Sequence, residues 1–416
     1  MAELWIASNL PPPVHGVAVF NEALVEGLRR RGIKCRFIRV GSEVPGDIGR
    51  LSLGKVYRDC KALSGLIAKG GSKRRKAGQK RILYFTLSQW GPATIRDLAV
   101  STIGKCLFDR VVGHIHGCGW LEHERRRGVF PYAMRFALRS CDAVICLGET
   151  FASAMRSRTG CDCIGIDNGV VGASYPLPKA LPRDGAPLKL LFLGNLIRSK
   201  GLWAAAEAAQ TLRRAQLPVV LQCAGEWRRQ ADAREFERQF RTQLGDGTVV
   251  MVGPADSAKK ERLLRETHFL LLPTRYPFEG QPLVLLEAMS AGVVPLTTDQ
   301  GGIPDLMRFP GGARLVSGDF EYGHALAAAV RAIQSASGEY ELLSRACLQR
   351  FQDHLTFDRC LNQILAVLGD GDLTESSWMA GADDAGESYQ KLQDDPATAE
   401  QIWECEEVDS MWRLGS

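Results

Sequence analysis

The residues best suited to chemistry lie in RYPFEGQPLVLLEAMSAGVVPLTTDQGGIPD, residues 275–305. An apolar run precedes this stretch, so Glu279, Gly280 and Gln281 fall in a loop at a strand's carboxyl end, where parallel α/β sheets bind ligands. Pro282 suits the first turn of a following helix. The free amides at that helix start carry partial positive charge and favour a phosphate. Gly280 permits close approach of a ligand to the backbone. Glu287, in the helix's second turn, could accept from the hydroxyl pair of a ribose. Taken alone, the stretch is also what an ordinary capped helix with two surface glutamates looks like, so its neighbours must decide.

Three further segments bear on that decision. FLGNLIRSKG, residues 192–201, ends a strand in a glycine turn followed by Arg198 and Lys200. Two cations at the mouth of a sheet suit a diphosphate, whose charge grows as it leaves. GHIHGCGW, residues 113–120, closes another strand and presents His116, an imidazole able to hydrogen-bond a hydroxyl or steady developing charge. His114 is read as facing the other way and as structural. LPPPVHGVAVFNEALVEGLRRRG, from Leu10, contains Gly16 in a loop ahead of a helical pattern at Phe20–Arg31.

The elements that must hold these residues alternate between strand and helix. Strands are expected at 3–8, 33–40, 81–87, 110–116 and 142–147, with helical stretches between them. The pattern breaks in a proline-rich stretch, then restarts with strands at 188–194, 218–225, 248–253, 268–273 and 293–298. Helices are expected at 202–214, 228–244, 257–266, 282–291 and 322–336. Strands separated by helices argue for parallel, doubly wound sheets. The fold class is therefore α/β with two successive Rossmann-like domains: 1–171, a linker at 172–187, 188–350, a terminal helix at 351–368 and an acidic, poorly ordered tail at 369–416.

Composition narrows the class. The chain has 416 residues, 45% of them hydrophobic, which suits two globular domains. No apolar run reaches the roughly 18 to 20 residues that cross a bilayer, and the N-terminus reads as strand and loop rather than a secretory signal. The twelve cysteines are scattered and read as reduced thiols of a cytoplasmic protein. The net charge of +5 is uneven: 13 acidic and two basic residues give −11 beyond residue 368, leaving +16 on the rest. The stretch from Arg50 to Arg81, with eleven Lys and Arg and one acid, would suit an anionic inner membrane leaflet or a pyrophosphate-bearing acceptor. Nucleic acid is disfavoured, because no recognition motif or set of interleaved aromatics accompanies the charge. Asp370 and Asp372 form an Asp-x-Asp pair far in sequence from the loops above, so no metal is expected there. A nicotinamide dehydrogenase is disfavoured, because no G-x-G-x-x-G follows a strand with an acid about 20 residues on.

The E-x7-E spacing of Glu279 and Glu287, within FEGQPLVLLEAMSAGVVPLTTDQGGIPD, resembles the signature of the retaining glycosyltransferases of family 4, group 1 transferases with the GT-B fold. The resemblance spans nearly all of residues 1–368 and is sharpest in the second half. It implies that Glu279 contacts the donor sugar, Glu287 the ribose, and the amides near Gly280 and Gln281 the sugar or diphosphate. It also implies that Lys200 binds the diphosphate, that His116 faces the sugar, and that Gly16 is the second of a glycine pair near the phosphates. Two positions depart from the pattern: Asn195 stands where the family has an arginine, and His15 replaces the first glycine. Arg198 is the candidate for the missing cation. The implied activity is retaining transfer of a hexose from a nucleoside diphosphate sugar to a glycan or lipid-linked acceptor, as in exopolysaccharide or lipopolysaccharide synthesis, without a metal. The alternatives are a sugar-nucleotide epimerase of the same fold and a non-catalytic nucleotide-sugar-binding scaffold.

Overall fold

The computed structural model describes residues 2–12, 14–40, 53–71, 80–123, 126–174, 176–182, 185–309 and 322–369. The basic cluster at 72–79 and the acidic tail from Asp370, with Asp372, lie outside the described residues.

The first sheet is built from β1 (Ala2–Ser8), β2 (Cys35–Arg39), β3 (Lys80–Leu87), β4 (Arg110–Ile115), β5 (Ala143–Leu147) and β6 (Cys163–Ile166), in the order β2-β1-β3-β4-β5-β6. Every pairing is parallel. Between the strands run α1 (Gly16–Arg30), α2 (Leu53–Gly70), α3 (Ala93–Leu107), the short α4 (Trp120–His123), α5 (Val129–Arg139) and α6 (Glu149–Thr159). Successive strand side chains point to opposite faces, and both faces are apolar. On one, Trp5, Phe85 and Val111 meet Val100 of α3, Met134 and Leu138 of α5 and Met155 of α6. On the other, Ile6, Tyr84 and Ile145 meet Phe20, Leu24 and Leu28 of α1. The strand order reverses at β1, which creates a crevice beyond its carboxyl end.

The second sheet holds β7 (Leu188–Leu193), β8 (Val219–Ala224), β9 (Val249–Gly253), β10 (Phe269–Leu272) and β11 (Val294–Thr297), in the order β11-β10-β7-β8-β9, again all parallel. Its helices are α7 (Leu202–Arg214), α8 (Gln230–Gln239), α9 (Arg241–Gly245), α10 (Ser257–Glu266), α11 (Leu283–Ser290), α12 (Ile303–Leu306), α13 (Tyr322–Ser335) and α14 (Glu339–Arg350). In α7 the fully buried Ala205, Ala206, Ala208 and Ala209 let the helix lie close to its neighbours. Strand β6, four residues long with only Cys163 and Ile166 buried, is the one strand that the pattern reading did not include.

The end of the chain departs from the expected single helix. Residues Phe351–Leu355 form a π-turn, Thr356 is extended, and α15 (Phe357–Leu368) follows. Thr356 pairs with Val170 as an isolated parallel bridge: Phe357 N donates to Val170 O at 3.0 Å and Val170 N to Leu355 O at 3.2 Å. The two chain crossings between the sheets therefore run side by side. Helix α15 then returns to the first sheet, where Phe357, Leu361 and Ile364 join the core over Phe20 and Ile145.

Leu361 is fully buried in that core. Leu361→Ala should destabilise the fold by about 2–5 kcal/mol, read as a lower urea midpoint at unchanged m-value. A loss well under about 1 kcal/mol would show that α15 contributes little to the first domain.

Candidate active site

The carboxyl edges of the two sheets face each other, and loops from both meet. The centre is an ion pair. Lys200 Nζ donates to both carboxylate oxygens of Glu279, at 2.8 and 2.6 Å, and Thr274 Oγ1 donates to the same carboxylate at 2.8 Å. Lys200 also lies 5.0 Å from the ring centre of Tyr276, within cation–π range. The local sequence explains the placement. Lys200 ends a short 3-10 turn, Arg198–Lys200, and Gly201 follows at φ +87°. A Cβ on Gly201 would stand 2.4 Å from the Pro273 carbonyl oxygen, so only glycine lets this turn press against the loop after β10. Arg275 N donates to Ser199 O at 2.7 Å and locks the two loops together.

Arg198 does not join the cluster. Its guanidinium pairs with Glu235 of α8 at 2.5 Å and stacks 4.5 Å from the centre of a Trp203 ring. Another cation near the cluster is Arg228, which sequence reasoning missed. The ladder between β7 and β8 continues past the strand ends through a Leu196–Trp227 bridge, with Leu196 N donating to Glu226 O at 2.8 Å. Trp227 packs edge-on against Trp203. Burial first, then Arg228, lowers the pKa of His15 in the first domain, and Arg228 opposes the rise that burial and Glu279 cause at Tyr276 in the second. The available signal was its position just beyond a strand's carboxyl end.

Gly280 and Gln281 serve the joint between domains. A Cβ on Gly280 would lie 2.6 Å from His116 O and 2.7 Å from Leu147 Cδ1, so the other domain, not a ligand, occupies the space a side chain would need. The Gln281 side chain is buried and accepts from Asn168 N at 2.7 Å while donating to Asp167 Oδ1 at 2.7 Å; Asn168 Nδ2 also donates to Gln281 O. Cys118 N donates to Glu279 O at 3.2 Å. Asp305 accepts from Thr150 N and Oγ1 at 2.9 and 2.5 Å, at the start of α6. An aromatic stack, Trp90–His123–Phe278, with ring centres 4.3 and 5.5 Å apart, spans the same joint. None of these partners was visible from spacing, because each contact joins residues distant in the chain.

Glu287 sits on α11 and pairs with Lys260 of α10 at 2.5 Å. It lies in the second domain as expected, with a lysine partner that the sequence did not suggest. Gly16 opens α1 with open space where a side chain would project. His15 is the helix cap: its Nδ1 accepts from Ala18 N at 3.3 Å and its Nε2 bonds Asn9 Nδ2 at 2.9 Å. A histidine can therefore replace a glycine here while satisfying an end-of-helix donor.

His116 stacks on His114, with ring centres 3.9 Å apart, and meets the Phe20 ring at a tilt of 60° with centres 4.8 Å apart. The expectation that His114 faces away is wrong: residues two apart on a strand share a face. His114 Nδ1 bonds the buried Tyr84 hydroxyl at 2.7 Å. His116 Nε2 is buried without a partner among the described residues. Burial, reinforced by nearby His15, drives the His116 pKa down to about 3. Burial, then the neighbouring His116, lowers His114 as well. Both imidazoles are neutral at ordinary pH. Among the described residues, no group of three or more His, Cys, Asp or Glu side chains is arranged to hold a metal ion.

Two parallel α/β domains with a Lys–Glu cluster between facing carboxyl edges define the class: a GT-B fold. Residues 187–335 match the family model described as glycosyl transferases group 1. It is 31% identical over 191 residues to a glycogen synthase of Mycobacterium tuberculosis, covering 44% of this chain and 43% of that one. It is 24% identical over 281 residues to the putative colanic acid biosynthesis glycosyltransferase WcaL of Salmonella typhimurium, covering 60% and 66%. The aligned region thus spans less than half the length of the glycogen synthase. Among solved structures, Anabaena HepE in complex with UDP superimposes with a TM-score of 0.64 at 16% identity, covering 89% of this chain and all of that one. The lipopolysaccharide outer core galactosyltransferase WaaB gives 0.62 at 16% identity, covering 88% of this chain. At such identities these likenesses establish the fold.

The neutral histidines carry a pH signature. A folded pKa below the unfolded value of about 6.5 means that the unfolded chain takes up protons first on acidification. Their stabilising contribution is full above pH 6.5. It is lost as pH falls toward about 3 for His116 and about 4 for His268, whose pKa is lowered first by burial and then by Lys179. Between pH 6.5 and 5 each should remove stability at a rate that rises toward a limit of about 1.4 kcal/mol per pH unit. Urea midpoints measured at pH 7 and pH 5 should differ accordingly; equal midpoints would contradict this account.

Proposed function

We propose that the chain transfers a hexose from a nucleoside diphosphate sugar to a hydroxyl of a glycan or lipid-linked acceptor, with retention at the anomeric carbon. The observation that carries this reading is the Lys200–Glu279 pair at 2.6–2.8 Å, facing the first domain across the sheet edges. A carboxylate is acceptor-only, so Glu279, steadied by Lys200 and Thr274, suits the donor sugar's hydroxyls. Lys200 and Arg228 neutralise the diphosphate, with charge stabilisation that grows as it departs. That arrangement calls for no metal. Glu287 meets the ribose, sharing its charge with Lys260, and Gly16 and the start of α1 border the phosphates. His116 acts as a neutral hydrogen-bonding group at the sugar, since a group with a pKa of about 3 is a poor proton shuttle at neutral pH. The acceptor oxygen bonds to the anomeric carbon on the face from which the phosphate oxygen leaves, and its proton passes to the departing diphosphate.

Relatives support the substrate class. The chain resembles enzymes named for glycogen, colanic acid and amylovoran synthesis, and a structural neighbour was solved with UDP-glucose. A uridine donor, a polysaccharide or lipopolysaccharide product and a cytoplasmic site at a membrane surface follow as parts of this proposal.

The first test is thermal stabilisation by UDP-, GDP-, ADP- and dTDP-glucose. A sugar nucleotide at about 100 times its Kd adds about 2.7 kcal/mol; stabilisation by none of the four would sink the reading. Glu279→Gln should keep nucleotide binding while slowing transfer, or hydrolysis of the donor, by about 10²–10³-fold. A variant that turns over normally would leave only a binding scaffold. Arg228→Gln should weaken UDP binding at least about tenfold, the loss of a charge-assisted hydrogen bond, whereas Arg198→Gln should leave it unchanged.

A further inference from the structure

Helix α6 of the first domain begins without a cap of its own. Gly148 precedes it and offers no side chain, and Glu149 of its first turn turns aside to pair with Arg156. The free amides of a helix start carry partial positive charge and call for an oxygen acceptor. That acceptor comes from the second domain. Asp305 accepts from Thr150 N at 2.9 Å and from Thr150 Oγ1 at 2.5 Å, each through a different carboxylate oxygen. Its side chain is only 10% exposed. Aspartate is among the residues that cap a helix start best.

The end of β5 is shaped for this contact. Gly148 has a φ of +80°, and a Cβ there would stand 2.4 Å from Asp305 Oδ2. Its neighbour Leu147 meets the second domain as well, with Cδ1 2.7 Å from where a Cβ of Gly280 would project. The mount on the second domain is firm. Ile303 and Leu306 of α12 are fully buried in that domain's core, and Arg350 of α14 donates to Asp305 O at 3.2 Å. The loop ahead of α12 rests on the Glu279 segment. Gly302 N donates to Gly280 O at 3.0 Å, and a Cβ on Gly301, at φ +61°, would stand 2.2 Å from Glu279 O. Asp305 and Glu279 therefore belong to one packed body. In the first domain, Phe151, Ala152 and Met155 of α6 share a core with Ile115, the residue before His116. A shift of Asp305 against Thr150 is thus a shift of Glu279 against the loop that bears His116.

We infer that Asp305 is a positioning residue: by capping α6 across the domain boundary, it sets the His116 loop of the first domain against the Lys200–Glu279 pair. It touches no reacting atom. The effect on turnover rests on the transferase reading; the cap itself does not. An N-cap is worth a factor of about 2 to 30 in the equilibrium that it supports, so its loss leaves a folded chain whose cleft is less tightly defined. The donor contacts proposed for Lys200 and Glu287 lie within the second domain and do not depend on it.

The test compares Asp305→Ala, Asp305→Asn and Thr150→Val in the full chain. Amide hydrogen exchange at residues 149–152 reads the cap directly. Asp305→Ala should speed it by about tenfold, whereas Asp305→Asn, whose amide can bond both the N–H and the hydroxyl of Thr150, should stay within about twofold of the unmodified chain. With a sugar nucleotide donor, Asp305→Ala should lower kcat for transfer or donor hydrolysis by about tenfold while the Kd for UDP changes by less than about threefold, and Asp305→Asn should restore kcat. Asp305→Ala and Thr150→Val together should slow turnover by less than the product of their single effects. Unchanged exchange in Asp305→Ala would overturn the cap. An unchanged kcat, an equal loss of UDP affinity, or an Asn variant as slow as the Ala variant would overturn the positioning role. A chain that neither binds nor turns over any sugar nucleotide, yet shows the expected exchange, would remove the transferase reading and uphold the cap across the boundary.

Discussion

The pairing of Lys200 with Glu279 is the constraint around which the site is arranged. Removing two charges from water costs several kcal/mol per ion, recovered only with good geometry and additional hydrogen bonds. Thr274 supplies one such bond. The geometry comes from the close turn at Gly201, which seats the loop after β7 against the loop after β10. The second sheet thus presents a fixed ammonium and a fixed carboxylate at its carboxyl edge. Arg228 follows the next strand over, where the β7–β8 ladder runs on past the strand ends.

The signature stretch serves two purposes at once. Glu279 faces Lys200, but its backbone carbonyl accepts from Cys118 of the first domain. Gly280 lies against His116 O, and Gln281 binds the segment at Asp167 and Asn168 that leaves the first sheet. A stretch that would bind a donor is therefore also the surface on which the two domains meet. The parallel crossings at Val170 and Thr356, and the return of α15 to the first core, tie the same two layers together. Any change at Gly280 or Gln281 acts on domain geometry as well as on ligand contact.

The departures from the family pattern have local explanations. Asn195 leaves the usual arginine position without a cation, and Arg198 pairs with Glu235 and lies over Trp203. His15 replaces a glycine but takes over the cap of α1. It also adds to a group of imidazoles, with His114 and His116, that burial keeps neutral.

Periodicity alone determined the fold class and the positions of most strands, because two buried sheets require apolar runs separated by amphipathic helices. The order of glutamate, glycine and helix from Glu279 to Glu287 pointed to the second domain's loop edge, because backbone requirements at a helix start are local. Tertiary structure decided everything that depends on contacts between distant segments. It turned Gln281 toward Asn168 and Arg198 toward Glu235, brought Arg228 between the domains, set Lys260 against Glu287 and stacked His114 on His116. It also broke the final helix at Thr356 to pair with Val170. A side chain's partner is chosen by burial and electrostatics among residues that only the folded chain brings together, and spacing along the sequence carries no record of that choice.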